Sequence, residues 1–268
     1  MGELKRAWNL YRTPAPQRSK SEIAAVHGLA RMGVRITCVG VWDTVGALGI
    51  PVGIFDGFNR KRYEFHDTRL GENIGCALHA VAIDEKRGPF APTLWQKPDH
   101  TVPQVVEQVW FAGVHSNIGG SYPDTGLSDL TLDWMIKRVR KHTGLAFDDN
   151  YVANNFSGDH MGTHNESRTA LYTTSRLLPK QRILGGYDEW LGALDRRANR
   201  PEPGREFINE MIHQSALQRW DQHAPFKDGG ASRNVHYRPE NLGAARGKLP
   251  EVGPDGEKAV PMTAAASG

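Results

Sequence analysis

Apolar residues along the chain fall into a few short continuous runs and a set of helical stripes. The run GVRITCVGVWDTVGALGIP, residues 33 to 51, is β-branched and apolar up to Trp42 and then turns polar and glycine-rich. That pattern predicts a buried strand emptying into a loop, and a continuously apolar strand implies cover on both faces, as in a parallel sheet. A second run predicts a strand from Val105 to Val114, followed by a glycine-rich loop and a helix from about Ser128 to Lys141. Ser128 precedes that helix as its cap, Asp129 and Asp133 place negative charge in its first turns, and Lys137, Arg138, Arg140 and Lys141 suit its carboxyl end. Gly144 stops it, and Leu132, Met135, Ile136 and Val139 form its apolar stripe.

Other segments carry weaker signals. Residues 3 to 13 read as a helix closed by Pro14 and Pro16, a polar loop runs to Lys20, and a short helix begins at Ser21 and Glu22. Residues 73 to 85, NIGCALHAVAIDE, suit helix or strand, and their alanine content favours helix. The pattern weakens after Asn150, resumes as a helix from Glu206 to Arg219, and gives way at Pro250 to a Pro, Gly and Ala-rich stretch expected to be disordered. The expectation is an α/β domain over residues 1–249 with a tail over 250–268. Only two buried strands stand out, against the five or six of a doubly wound sheet, so the domain reads as partial, with an edge to be covered.

Bulk properties narrow the function classes. The formal charge of +3 comes from 33 basic and 30 acidic residues spread along the chain, which argues against nucleic acid as a partner. A mean hydropathy of −0.52 suits a water-facing protein. No apolar run approaches the roughly 20 residues of a membrane-spanning helix, and MGELKRAWNLYR lacks the core of a signal peptide, so a cytoplasmic product is expected. The two cysteines, Cys38 and Cys76, lack metal or redox spacing and read as reduced and structural.

Two residues stand where an open α/β sheet places functional groups, directly after strands. Asp43, in VGVWDTVG, either orients an imidazole or caps the following turn through the Thr44 and Val45 amides. His115, in FAGVHSNIGGSY, is either a general base on a glycine-flanked loop or a satisfied structural histidine. Acid before histidine matches the Ser, Asp, His chain order of α/β hydrolases. No G-x-S-x-G elbow occurs anywhere, and Ser116 lies too close in sequence to present its oxygen to the neighbouring imidazole. Ser121 and Ser128 read as turn and cap residues. His160 and His164, near Asp159 and Glu166, could suggest zinc, but Gly162 argues against a helix presenting both rings. His66 with Asp67, and His79 with Asp84, read as ordinary hydrogen-bonded pairs, and Trp42, Trp95, Trp110 and Trp134 as core. No cofactor and no metal are expected.

The blocks VGVWDTVGALGIP, HAVAIDEKRGPFAPTLW, VEQVWFAGVHSNIGGSYPDTGLSDLTLDWM and IHQSALQRW with YRPENL occur in order over most of residues 1 to 243. In them the chain resembles the catalytic domain of type VI secretion phospholipase effectors. The resemblance implies a partial α/β-hydrolase-like parallel sheet with flanking helices, hydrolysis of phospholipid esters, and delivery from the producing bacterium into target cells. It implies Asp43 as the acid and His115 as the base of a Ser-His-Asp triad whose serine lies on a GFSRG-type elbow upstream of the matching region. Asn117 stands where that pattern usually has Asp, and Ser121 where it has Gly. The chain therefore reads as the carboxyl-terminal part of a lipid esterase, inactive until a serine-bearing piece complements it. The alternatives are a non-catalytic module binding a secretion spike, adaptor or immunity protein, and, more remotely, a metal-dependent hydrolase.

Overall fold

The computed structural model describes residues 2–13, 17–29, 33–45, 70–168, 179–185 and 207–257. The glycine-rich loop after Val45, the His66 and Asp67 pair and the start of the helix expected at Glu206 lie outside those residues. Contacts divide the chain into residues 1–36 and residues 37–268. The first unit holds two helices, α1 (Gly2–Arg12) and α2 (Lys20–Leu29). The cap of α2 lies at Ser19, two residues before the expected start: Ser19 N–H donates to Glu22 Oε2 at 2.8 Å, and Glu22 N–H donates to Ser19 Oγ at 3.3 Å. This reciprocal box satisfies two donors that a helix start leaves open.

The second unit is built on strands β1 (Ile36–Trp42), β2 (Ile74–Ala82), β3 (Val105–Phe111), β4 (His164–Asn165), β5 (Glu210–His213), β6 (His223–Asp228), β7 (Ala231–His236) and β8 (Glu251–Val252). A five-stranded parallel sheet has the order β1-β2-β3-β5-β8, and β4-β6-β7 form a separate three-stranded sheet. Helices α3 (His115–Gly119), α4 (Gly126–Thr143), α5 (Asp149–Asn155), α6 (Gln214–Arg219) and α7 (Glu240–Ala245) complete the unit. The α/β class expected from the sequence is the one found, a parallel sheet with flanking helices.

Residues 74–82 form a central strand rather than a helix. β2 pairs with β3 from Cys76↔Val105 to Ala82↔Phe111. Its alanines favour helix in isolation, but between two neighbours their small side chains let helices approach both faces, and pairing overrides propensity. One face joins Leu78, Ala80, Val109 and Phe111 to Trp134 and Met135 of α4; the other joins Val81, Trp110 and Ile212 to Ala216, Leu242 and Ala245 of α6 and α7. The apolar run of β1 does not bring the expected two-sided burial, because β1 is an edge strand and its residues are exposed or half-buried. Its Cys38 thiol shares a hydrogen bond with that of Cys76 in β2, and neither cysteine is in a disulfide.

Three further boundaries differ from the expectation. Thr125, not Ser128, occupies the amino-terminal cap position of α4, while Gly144 closes the helix at φ 70° as expected. The helix predicted from Glu206 to Arg219 is the strand β5 followed by the short helix α6, since Met211 and Ile212 are claimed by pairing with β3. Residues 251–252, within the stretch expected to be a disordered tail, pair with β5 as β8, and residues 258–268 lie outside the described chain.

Candidate functional site

β1, β2 and β3 end side by side, so the residues following them meet at one end of the sheet. Asp43 follows β1 directly, with φ 44°, in the left-handed region that Asp tolerates better than most residues. Its backbone N–H donates to the Ala80 carbonyl at 2.7 Å, continuing the sheet ladder. Thr44 N–H donates to Nε2 of His79 at 3.1 Å. His79 is fully buried, and burial pushes its pKa down to about 4, so it is a neutral acceptor that fixes the turn behind Asp43.

His115 reaches the same place from β3. The strand ends at Phe111, the chain reverses at Gly113 with φ 119°, and His115 is the first residue of α3. A Cβ at Gly113 would lie 2.6 Å from Asn117 Cβ, so the reversal requires glycine. The sequence suggested a loop here; the outcome is a strand, a tight turn and a helix start. Two carboxylates hold that turn. Asp84 Oδ2 accepts the Gly113 N–H at 2.7 Å and the Tyr237 hydroxyl at 2.9 Å. Glu85 Oε2 accepts the His115 N–H at 3.3 Å, while Glu85 also binds Arg87 and, at 2.9 Å, the Ser167 hydroxyl.

Asp43 and His115, 72 positions apart, are joined by a hydrogen bond of 2.6 Å between Oδ2 and Nδ1. The Asp43 side chain is fully buried and that of His115 is 31% exposed. Burial by itself would raise the Asp43 carboxyl. The charge of Arg182, with hydrogen bonds from His115, Arg182 and the Ala82 amide, outweighs it and holds the group well below the usual carboxylate range. An ionised carboxylate only accepts, so Nδ1 is the donor and Nε2 remains the ring's basic nitrogen. An imidazole fixed this way can take a proton at Nε2 and return it. The Phe90 ring stands edge-on to His115 at 5.2 Å between centroids, with Arg87 stacked 3.6 Å over Phe90.

Arg182 was not legible in the sequence. It is fully buried, and its Nη1 donates to Asp43 Oδ1 at 2.5 Å while Nη2 donates to Oδ2 at 3.0 Å. The same two nitrogens donate to the carbonyls of Ala82 and Phe90, each at 2.7 Å. Asp84 and Glu85 carried a signal that the helical reading of residues 73–85 concealed: adjacent acids at the carboxyl end of a strand.

The other candidates settle elsewhere. Asn117 is buried; its Oδ1 accepts the N–H groups of Val114 and Asn165 at 3.3 Å each, and its Nδ2 donates to the Thr163 carbonyl at 3.0 Å. It ties α3 to β4, a task for which a carboxylate lacks the donor. The Ser116 side chain bonds to Tyr122. Ser121 has φ 118°, in the region that favours glycine, and Ser128 donates to the Thr125 carbonyl. His164 is half-buried, with Nε2 3.9 Å from Asp84 Oδ2, whereas His160 lies beside exposed Asp159. Trp110 and Trp134 are core residues. Among the described residues no group of three or more His, Cys, Asp or Glu is arranged to hold a metal ion, and no helix is long and apolar enough to cross a membrane.

Compared with known families, residues 2–138, about half of the chain, match the family model described as T6SS, Phospholipase effector Tle1-like, catalytic domain. Searches of curated proteins and of solved structures gave no match.

Proposed function

Since the chain belongs to the Tle1-like phospholipase effector family of type VI secretion, we propose that it hydrolyses phospholipid ester bonds, with His115 as general base and acid and Asp43 as the residue that orients it. The observation that supports this reading is the 2.6 Å contact between Asp43 Oδ2 and His115 Nδ1, formed by residues that follow β1 and β3, the strands on either side of β2. His115 takes the proton of an attacking serine hydroxyl at Nε2 and hands it to the departing alcohol; Asp43 holds the Nδ1–H tautomer and stabilises the charged ring between those steps.

The serine is supplied by a segment carrying a G-x-S-x-G elbow, a motif absent from these 268 residues. The chain thus contributes acid and base, the substrate is a phospholipid surface in a target cell, and delivery is through type VI secretion. To test this, fatty-acid release from phospholipid vesicles is measured for the chain alone, for the chain joined to its upstream coding sequence, and for the joined protein bearing His115→Ala. Hydrolysis is expected only in the joined protein and is lost by several orders of magnitude in the variant. Equal activity with and without the upstream segment removes the complementation reading. Wild-type turnover in the variant removes His115. Absence of hydrolysis from every form favours a binding module on the same fold, facing a spike, adaptor or immunity protein.

A further inference from the structure

We propose that Arg182 is the positioning residue of the Asp43–His115 pair, clamping both carboxylate oxygens so that Oδ2 stays ionised and aimed at Nδ1 of His115. This deepens the catalytic reading above and rests on it only for its bearing on turnover; the clamp itself is a statement about three side chains. The guanidinium spans the carboxylate, Nη1 to Oδ1 at 2.5 Å and Nη2 to Oδ2 at 3.0 Å. Its bonds to the Ala82 and Phe90 carbonyls fix it to the end of β2 and to the short turn that carries the ring beside His115. A planar fork held at four points has one orientation, and it sets a positive charge against both carboxylate oxygens.

The other charged and titratable groups nearby do not share this task. Glu85, after β2, is met by Arg87 and binds the backbone of His115. Asp84 binds Gly113 and Tyr237. His79 uses Nε2 for Thr44 N–H, and Tyr122, beyond α3, bonds Ser116. Among the described residues, Arg182 is the cation in ion-pair contact with Asp43 besides His115.

The chemistry that follows is a choice of tautomer. With Arg182 present, Asp43 is an acceptor, Nδ1 carries the hydrogen, and Nε2 has a free lone pair. Without it, a fully buried carboxyl favours its neutral form, donates O–H to Nδ1, and the ring hydrogen moves to Nε2. That tautomer cannot accept a proton from a hydroxyl at Nε2.

The test is ¹⁵N NMR of histidine-labelled 268-residue chain at neutral pH, with the His115 signals identified by their loss in His115→Gln. The wild-type ring is expected to show protonated Nδ1 and bare Nε2. Arg182→Gln should transfer at least half of the His115 population to the Nε2–H form, and Arg182→Lys, which keeps the charge, should retain the Nδ1–H form. A wild-type pattern in Arg182→Gln overturns the proposal, as does a Lys variant that behaves like the Gln variant. Should Arg182→Gln lose the near-ultraviolet signal of its packed tryptophans, the Lys variant decides alone: retained Nδ1–H supports the clamp, and Nε2–H overturns it. These spectra need no substrate, so a failure of the clamp is distinct from a failure of the hydrolase reading, which the vesicle assay tests separately.

Discussion

The Glu85 carboxylate accepts the backbone N–H of His115 at 3.3 Å, placing a buried negative charge on the first peptide of α3. It serves Arg87 and the Ser167 hydroxyl as well, so one side chain ties the end of β2, the start of α3 and the stretch after β4 together. Replacing Glu85 with Ala removes the acceptor of the His115 N–H and of the buried Ser167 hydroxyl. The expected loss is about 3 kcal/mol of unfolding free energy, and about 1 kcal/mol for Glu85→Gln, which keeps one acceptor. Urea denaturation measures both; a loss under about 0.5 kcal/mol for Glu85→Ala contradicts the bridge.

Two buried histidines set the acid limb of stability. Burial pushes His79 down to about 4 and His213, stacked on Phe111, down to about 3. Both are lowered relative to an unfolded value near 6.5, so their contribution is complete above about pH 6.5 and is lost as pH falls toward the folded values. Asp43, also lowered, acts later: its contribution is present above about pH 4 and declines only below that. Denaturation midpoints should therefore begin to fall near pH 6, before the carboxylates titrate. His79→Gln should flatten the slope between about pH 6.5 and 4, and an unchanged slope would discount His79.

Gly113→Ala meets two obstacles at once, φ of 119° and a Cβ placed 2.6 Å from Asn117 Cβ. About 2 to 4 kcal/mol of destabilisation is expected, because the neighbour is the backbone-proximal atom of a buried side chain that cannot swing away. Thermal and urea unfolding give the value, and a variant as stable as wild type shows that the turn can re-form another way.

Ser121→Gly should act in the opposite direction. Ser121 sits at φ 118°, where a Cβ is strained, and glycine relieves that strain at a cost of greater freedom in the unfolded chain. The net expectation is about 1 kcal/mol of added stability. A destabilised variant would mean that the serine hydroxyl supplies more than the backbone loses.

How much of this was visible in the sequence depended on how local the cause was. The strands β1 and β3, the helices α1 and α4 and the positions of Asp43 and His115 after strands follow from runs of neighbouring residues, whereas the edge position of β1 does not. β2 was misread because alanine propensity is a local signal and burial between two strands is not. β5 and β8 have 4 and 2 residues, too short for a period to emerge, and exist because β3 and then β5 offer an edge. Arg182 left no trace, since a single cation acquires meaning only from the carboxylate it meets across the fold. Asn117 and Ser121 were noted as departures from a pattern; geometry assigns the first to bridging α3 and β4, and the second to a strained turn.

The ion pair between Asp43 and Arg182 also spans 139 positions of chain. Closing so long a loop is entropically slow, and until it closes the sheet end that buries Asp43 holds a carboxylate without its counter-ion. Assembly around Asp43 therefore belongs late in folding, after the chain through residue 182 has docked. On a ribosome, β1, β2 and β3 emerge before Arg182, so Asp43 meets its counter-ion only after His115, its other partner, has been made.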